Sequence, residues 1–160
     1  MTKLDSFDIR LLDLLQADAL LTAEALAERV PLSASAITRR VRRLRAEGWI
    51  ERDVAIVARR LSDARLRALV HVTMQEHAEE RGIAALRATL AAAPCVQMLL
   101  DLAGPHDLAV LISARDMDDY NAITARLFES EPAVRRYETS FVKRVHKQSA
   151  AVVLDLAGTA

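Results

Sequence analysis

Residues 33–48 constrain the fold most strongly, because their apolar members recur at the spacing of an α-helix. Ile37, Val41 and Leu44 follow one another at intervals of four and three residues and therefore share one helical face. The stretch from Ser33 to Ala46 contains no acidic residue. It contains five arginines: Arg39, Arg40, Arg42, Arg43 and Arg45. One side of this helix requires a core, whereas the other attracts anions.

Flanking residues give this helix a beginning and an end. Ser33 or Ser35 can accept a hydrogen bond from an unpaired amide of the first turn, and Gly48 suits a left-handed residue after the last turn. An isolated arginine-rich helix is as readily a solvated surface element as a binding element. The residues that precede this helix favour the binding interpretation.

A second helix lies directly before the arginine-rich one. Residues 5–17 predict a first helix with Asp5 as its N-cap, and Thr22 caps a short helix over residues 23–30, which Pro31 ends. Two short helices separated by a three-residue turn, the second basic on its outer side, are typical of a helix-turn-helix. In that motif the second helix enters the DNA major groove.

The second half of the chain alternates between strand and helix patterns. Strands are predicted at residues 68–75, 96–102, 107–113 and 134–145, and helices at residues 79–92 and 116–128. The order β-α-β-β-α-β is that of a ferredoxin-like domain, a four-stranded antiparallel sheet with both helices on one face. The other face carries apolar side chains and favours self-association.

The predicted fold class is therefore α+β with two domains. Residues 1–52 form an N-terminal helix-turn-helix (winged-helix-like) domain, and residues 67–160 form a C-terminal ferredoxin-like βαββαβ domain for effector binding and oligomerisation. Residues 53–66 form a linker that contains a strand near residues 53–58.

Composition excludes several classes of protein. Cys95 is the single cysteine, so neither an intramolecular disulfide nor a multi-cysteine metal site can form. No stretch approaches about 20 consecutive apolar residues, and the first residues lack the hydrophobic region of a signal peptide. We therefore expect a soluble cytoplasmic protein with no membrane partner. Its total charge of zero is compatible with DNA binding, which depends on local charge.

Little in the sequence supports catalysis. It lacks a phosphate-binding glycine loop, a His-x-x-x-His pair and a Cys/His cluster with metal-ligand spacing, so we expect no enzyme activity, metal or cofactor. His71, His77 and His146 are isolated in the sequence, and each is interpreted as an ordinary side chain.

The turn Gly104-Pro105-His106-Asp107 is a candidate ligand site. It offers backbone amides to a ligand carboxylate and an acid to a ligand ammonium, and an amino acid carries both groups. The alternative interpretation is a hairpin turn that uses glycine and aspartate for conformational reasons.

Together these motifs resemble the Lrp/AsnC family of bacterial and archaeal transcription regulators over nearly the whole chain. The resemblance rests on the following residues: Leu4-Asp5 with Asp8, Leu26-Ala27 with Val30, Leu32-Ser33-x-Ser35, Arg39-Arg40-Val41-x-x-Leu44, Gly48-x-Ile50, Gly104-x-x-Asp107, and Val134 with Thr139. The sequence departs from the family pattern at Pro31, Leu20-Leu21 and Leu108, where the family commonly has glycine, a polar pair and an aromatic residue.

The resemblance implies a homodimer formed through the sheets, further assembly into octamers, and an amino acid or related small molecule bound between dimers. The effector residues that it implies are Ala103, Gly104, Pro105, His106, Asp107 and Leu108.

The resulting hypothesis is a sequence-specific regulator that binds double-stranded DNA. Its expected DNA contacts are Ser33, Ser35, Thr38, Arg39, Arg42 and Arg43. Arg40, nearer the core, is expected to brace the domain instead. Reversing Arg39 and Arg43 to glutamate is expected to abolish operator binding and leave the fold unchanged.

Two alternatives remain open from the sequence. One is an effector-independent DNA-architectural protein. The other is an enzyme, since some haem-precursor decarboxylases resemble this two-domain organisation and use histidines, for which His71, His106 and His146 are the candidates.

Overall fold

The computed structural model describes residues 3–75 and 80–154. These residues form two compact units: the first contains the chain up to Ile56 together with the described residues from Lys147, and the second is Val57–His146. The second unit therefore ends earlier than the predicted domain over residues 67–160, because the described residues after His146 pack with the first unit.

Three helices form the first unit: α1 (Ser6–Ala17), α2 (Ala23–Ala27) and α3 (Ala34–Ala46). Reciprocal bonds between Asp5 and Asp8 begin α1, since each carboxylate accepts from the other residue's amide, at 2.9 and 3.2 Å. Thr22 caps α2 as predicted, with its hydroxyl accepting from Ala25 N at 3.2 Å.

The end of α2 comes three residues earlier than predicted. Val30 is still buried, but it lies in a turn after the helix. Pro31 accounts for this difference, because proline disfavours helical backbone at the residue before it. At the far end of α3, Gly48 has a φ of +77°, the left-handed conformation that the sequence predicted.

Two apolar clusters hold these helices together. One contains Leu11, Leu26, Val30, Ile37 and Val41. The other joins Leu4, Ile9, Leu12 and Leu44, with Trp49, Ile50 and Leu154 packed against it. The described residues of this unit include the three helices of the predicted helix-turn-helix domain and no strand.

The strand expected near residues 53–58 is not formed. Val54, Ile56 and Val57 are all more than half exposed, and residues 51–58 have no regular secondary structure. A strand must pair its backbone groups with a neighbouring strand. None of the described residues offers this segment such a neighbour, despite its β-type composition.

The second unit contains, in chain order, α4 (Arg59–Ser62), β1 (Leu66–Met74), α5 (Glu80–Ala92), β2 (Val96–Asp101), β3 (Leu108–Ala114), α6 (Met117–Thr124) and β4 (Val134–Phe141). A π-helical turn, Ala125–Glu129, continues α6. The predicted β-α-β-β-α-β order is confirmed. The predicted helix start at Glu79, and His77, lie outside the described residues.

All strands pair antiparallel in the order β2-β3-β1-β4. One face of the sheet is buried with α5 and α6, in a core that includes Val70, Val72, Leu86, Leu90 and Phe128. β4 ends at Phe141 instead of residue 145. Val142 N still donates to Arg67 O at 2.9 Å, but β1 begins at Leu66, so the register leaves residues 144 and 145 without a partner in β1.

Candidate DNA-binding surface and effector turn

The buried face of α3 fixes the orientation of its polar side chains. Ile37, Val41 and Leu44 are buried at the four- and three-residue spacing that the sequence predicted. The helix therefore cannot rotate about its axis without exposing these three side chains, so the residues between them are held outward.

The start of α3 presents three exposed hydroxyl groups. Ser33 is the N-cap, and its hydroxyl accepts from Ala36 N at 3.3 Å. Ser35 Oγ lies 3.2 Å from Ser33 Oγ, and Thr38 Oγ1 donates to Ala34 O at 2.9 Å. These local bonds leave acceptor lone pairs on the hydroxyls, and all three side chains are accessible to a ligand.

Two arginines of α3 are exposed and make no ion pair or hydrogen bond with the described residues. They are Arg39 and Arg42, one helical turn apart on the outer side of α3. Arg45, by contrast, pairs with Asp53 at 3.0 Å. Uncompensated guanidinium groups on a fixed helix face suit phosphate oxygens and guanine edges.

The other two arginines of α3 bind the start of α1. Arg40 Nη1 lies 2.7 Å from Asp5 Oδ2 and 2.8 Å from Asp8 Oδ1, and Arg43 Nη2 lies 2.6 Å from Asp8 Oδ2. The Asp8 side chain is only 1% exposed, so these cations compensate a buried carboxylate. The Arg40 guanidinium also lies 5.6 Å from the centre of the Phe7 ring.

These contacts shift the ionisation of both partners. Burial raises the pKa of Asp5, but the hydrogen bonds from the Asp8 amide and from Arg40 outweigh it, so the pKa lies below its ordinary value of 3.8. Hydrogen bonding to Asp8, and then to Asp5, raises the pKa of Arg40. Both groups are charged at neutral pH.

The brace role expected for Arg40 agrees with this geometry, but Arg43 occupies the same kind of position. Its guanidinium is bound to Asp8, and its Nε is buried without a hydrogen-bond partner among the described residues. Arg43→Glu would set a second carboxylate against Asp8. The Arg39/Arg43 double reversal would therefore alter stability as well as DNA contact.

A sequence signal for this brace exists at Asp8. It lies between the apolar positions of α1 that become buried, next to Ile9 and four residues before Leu12. A carboxylate on a buried helical stripe requires a cationic partner, and α3 is the cation-rich element of the first unit. The prediction from sequence gives Asp8 no such partner and therefore misses that requirement.

The candidate effector turn joins β2 to β3 in the second unit. Leu102 N donates to Asp107 O at 2.8 Å, and Asp107 N donates to Val72 O at 2.9 Å. The amides of Ala103, Gly104 and His106 make no hydrogen bond with the described residues, so they are available to a ligand carboxylate.

The side chains of the turn divide into three roles. Ala103, Gly104 and Pro105 are exposed, whereas Leu108 is buried in the core. Leu108 therefore packs under the sheet and does not line a surface site, which corrects its place in the predicted effector set. Asp107 is exposed, but its Oδ2 accepts from Met74 N at 2.7 Å, so one carboxylate oxygen already fixes the turn to β1.

Gly104 has no conformational reason to be glycine. Its φ is not positive, and an added Cβ would meet no atom within 4 Å. The alternative interpretation of this residue as a turn former is therefore not supported. Space beside Gly104 is open to a group from outside the chain.

The three histidines that the structure describes do not form a catalytic cluster. His71 and His106 stack with ring centres 4.9 Å apart, and His106 Nδ1 lies 3.4 Å from Thr73 Oγ1. His146 makes no hydrogen bond or ring contact with either of them. Across the described residues, no group of three or more His, Cys, Asp or Glu side chains is arranged to hold a metal ion.

Each of the two units matches a known protein family model. The family model of the Lrp/AsnC ligand binding domain matches residues 67–152, and the model of winged helix-turn-helix DNA-binding domains matches residues 4–51. The chain belongs to the Lrp/AsnC family. It is thus a DNA-binding transcriptional regulator and not an enzyme, and the decarboxylase alternative is set aside.

Relatives of this Lrp/AsnC chain include regulators from several bacteria. An uncharacterised HTH-type transcriptional regulator of Sinorhizobium fredii is 31% identical, covering 96% of this chain and 90% of that protein. The glutamate uptake regulatory protein of Zymomonas mobilis is 31% identical, covering 78% of this chain and 76% of that protein.

A solved structure shares the fold over most of the chain. The transcriptional regulator of Neisseria meningitidis, determined as a complex with L-methionine, has a TM-score of 0.83 and 26% identity, covering 93% of this chain and 96% of that one. In the part of this chain that the structure describes, no helix is long and apolar enough to cross a membrane.

Proposed function

We propose that α3 contacts double-stranded DNA chiefly through Arg39 and Arg42, with Ser33, Ser35 and Thr38 at its start. The observation that carries this proposal is the division among the arginines of α3. Arg40 and Arg43 are bound by carboxylates, whereas Arg39 and Arg42 are exposed without a partner among the described residues. Phosphates and guanines supply the missing acceptors. The regulator would act in the cytoplasm, where chromosomal DNA is accessible.

Charge reversal on α3 tests the proposed contacts. Fragments of the source genome that the wild-type protein retains serve as the probe. Arg39→Glu/Arg42→Glu lowers affinity by about 100-fold, because two phosphate or base contacts become repulsions. Arg10→Glu/Arg126→Glu makes the same change in net charge at exposed sites of α1 and of the π-helical turn, and should bind nearly normally. Equal binding by the two variants would show that α3 does not read DNA through these arginines.

We also propose that the regulator acts as a homodimer, with octamers as the further assembly. The sheet face opposite α5 and α6 supports this proposal, because Met98 and Leu100 of β2 are exposed there beside the half-buried Leu69 and Leu111. Covering such a patch with a second copy removes apolar surface from water. Two copies would also present two α3 helices to two DNA half-sites.

An amino acid is the proposed effector, bound at residues 103–107 between dimers. Support comes from the three unpaired amides of the turn and from the open space beside Gly104. The Neisseria meningitidis relative was solved with L-methionine, and the Zymomonas mobilis relative is named for glutamate uptake. Binding there would change the arrangement of dimers and hence DNA affinity.

Calorimetry against the twenty amino acids tests the effector site. Gly104→Val should abolish any heat of binding, since its side chain fills the ligand space. The Cβ that it adds would meet no atom within 4 Å, so the melting temperature should change little. Asp107→Ala is a poorer probe, because it also removes the bond to Met74 N. If no amino acid binds the wild-type protein, the chain is an effector-independent DNA-architectural regulator.

A further inference from the structure

A cleft of about 200 Å³ in the second unit is lined by positively charged residues. It lies where α4 and the start of β1 meet the chain that leaves β4. The lining residues are Arg59, Ser62, Asp63, Arg65, Arg67, Val142, Lys143, Arg144 and Val145. A single water needs only about 10–15 Å³ of such space, so the cleft admits a much larger group.

The lining residues carry five positive charges and one negative charge. The single acid, Asp63, lies 3.8 Å from Arg59, and both side chains are more than half exposed, so this pair is weak. Setting aside Arg67, which has a partner of its own, four cations still face one carboxylate. Cations gathered in one cleft repel each other unless an anion joins them.

Two of these arginines are held in place by neutral groups. Arg65 donates from Nε to Ser113 Oγ at 3.3 Å and from Nη2 to Ser113 O at 3.2 Å. Arg59 Nη2 donates to the carbonyl of Val145. These bonds restrict the guanidinium groups without neutralising them, in contrast to the Asp8 brace of α3. An ordered arginine loses less entropy when it binds an anion.

The cleft also lies beside both connections to the first unit. The chain enters the second unit at Val57, two residues before Arg59, and leaves it after His146, next to Val145. A ligand held by Arg59 and Arg65 on one side and by Lys143 and Arg144 on the other would tie these two connections together.

We propose that this cleft binds a phosphate group and thereby links the two chain segments that lead to the DNA-binding unit. Phosphate fits better than a carboxylate, because it carries more charge and more acceptor oxygens, which several guanidinium groups can share. The phosphate comes either from a free phosphorylated compound or from the DNA backbone. The proposal does not depend on the amino-acid site at residues 103–107.

Inorganic pyrophosphate is the probe, titrated into the full-length protein by calorimetry at low salt. Lys143→Gln/Arg144→Gln should weaken binding at least tenfold, because it removes two exposed cations whose side chains make no hydrogen bond or ion pair with the described residues. Arg81→Gln/Arg126→Gln removes the same charge from α5 and the π-helical turn of the same unit and should leave pyrophosphate affinity within twofold.

Hydrogen exchange tests the link between the two segments. Bound pyrophosphate should slow amide exchange in both residues 57–65 and residues 142–146 of the wild-type protein. Slowing on one side alone would overturn the bridging arrangement.

The source of the phosphate is distinguished by the salt dependence of DNA binding. If the DNA backbone occupies the cleft, Lys143→Gln/Arg144→Gln reduces the slope of log affinity against log salt by about 1 to 2, and pyrophosphate competes with DNA. If a free compound occupies it, the slope is unchanged while pyrophosphate binding is lost. The proposal fails if the cleft variant matches its control in both assays. Failure at α3 would appear separately, in Arg39→Glu/Arg42→Glu.

Discussion

At the scale of single residues, Asp8 decides what the arginines of α3 can do. It is buried, it accepts from Arg40 and Arg43, and it caps the first turn of α1 through its other contact with Asp5. Two cations of a basic helix are thereby assigned to holding that helix against α1. Only the remaining cations are available to DNA. A count of the arginines on α3 therefore overestimates how many of them can contact DNA.

Removing Asp8 should destabilise the first unit more than any surface change. Asp8→Ala leaves the partly buried Arg43 guanidinium without its carboxylate, leaves Arg40 with Asp5 alone, and removes half of the capping box. The free energy of unfolding should fall by about 3 kcal/mol. Asp13→Ala, on the same helix but without an ion pair among the described residues, should lower it by less than about 0.5 kcal/mol. Chemical denaturation followed by circular dichroism measures both, and equal losses would rule out the brace.

Asp5 makes part of the stability depend on pH. Its folded pKa lies below 3.8, so the folded state holds its proton less tightly than the unfolded chain does. The contribution is therefore complete above pH 3.8 and is lost as the pH falls through the folded pKa. Asp5→Asn keeps an N-cap side chain but removes the charge. The stability difference between wild type and Asp5→Asn should be constant near neutral pH and shrink below about pH 4. A difference that does not change on acidification would contradict this assignment.

At the scale of elements, local chemistry made the helix starts of the first unit and the end of α3 predictable. Asp5, Thr22 and Ser33 cap the three helices of the first unit as side-chain acceptors, and Gly48 takes up the left-handed conformation after α3. Each of these features depends only on residues within a few positions. The same holds for the order of strands and helices in the second unit, where apolar periodicity marks each element.

Features that depend on distant or external partners could not be predicted in the same way. The segment at residues 53–58 has strand composition, but no strand of the described residues pairs with it. Arg43 has the position of a DNA-contacting residue, but Asp8, 35 residues away, binds it. The turn after β2 was identified from its residue types, whereas the burial of Leu108 follows from its place in β3. Tertiary packing decides each of these cases.

Gly48 and Gly82 differ in whether their backbone conformation requires glycine. Gly48 has a positive φ, whereas Gly82 does not. Gly48→Ala forces a side chain into left-handed backbone, which should lower the free energy of unfolding by about 1 kcal/mol. Gly82→Ala lies inside α5, where an added Cβ would meet only Ala133 Cβ at 3.9 Å, an ordinary contact. That change should raise stability by about 0.5 to 1 kcal/mol. Thermal unfolding of both variants measures the signs, and a neutral Gly48→Ala would show that the end of α3 tolerates another conformation.

At the scale of the whole molecule, the chain returns to the first unit after its sheet is complete. Gln16 on α1 makes reciprocal bonds with Val152, donating to its carbonyl at 3.2 Å and accepting from its amide at 2.8 Å. Leu154 packs against the cluster that contains Leu44 of α3. The segment over residues 147–154 is therefore a structural part of the helical unit. Its sequence has no helical or strand period that would have revealed this.

The exposed face of the sheet is the proposed interface with a second copy of the chain. Leu100 is 45% exposed on β2, on the side of the sheet away from α5 and α6. Leu100→Asp places a charge in the proposed interface, where burial without a partner is unfavourable. We expect the dimer to dissociate at least 100-fold more readily, as measured by analytical ultracentrifugation over a range of concentrations. Leu20→Asp, on the 90% exposed Leu20 between α1 and α2, introduces the same charge outside the sheet and should leave the dimer intact.

DNA binding should weaken together with dimerisation in Leu100→Asp, because a monomer offers one α3 helix where two half-sites require two. A fully dimeric Leu100→Asp would place the interface on another surface of the molecule.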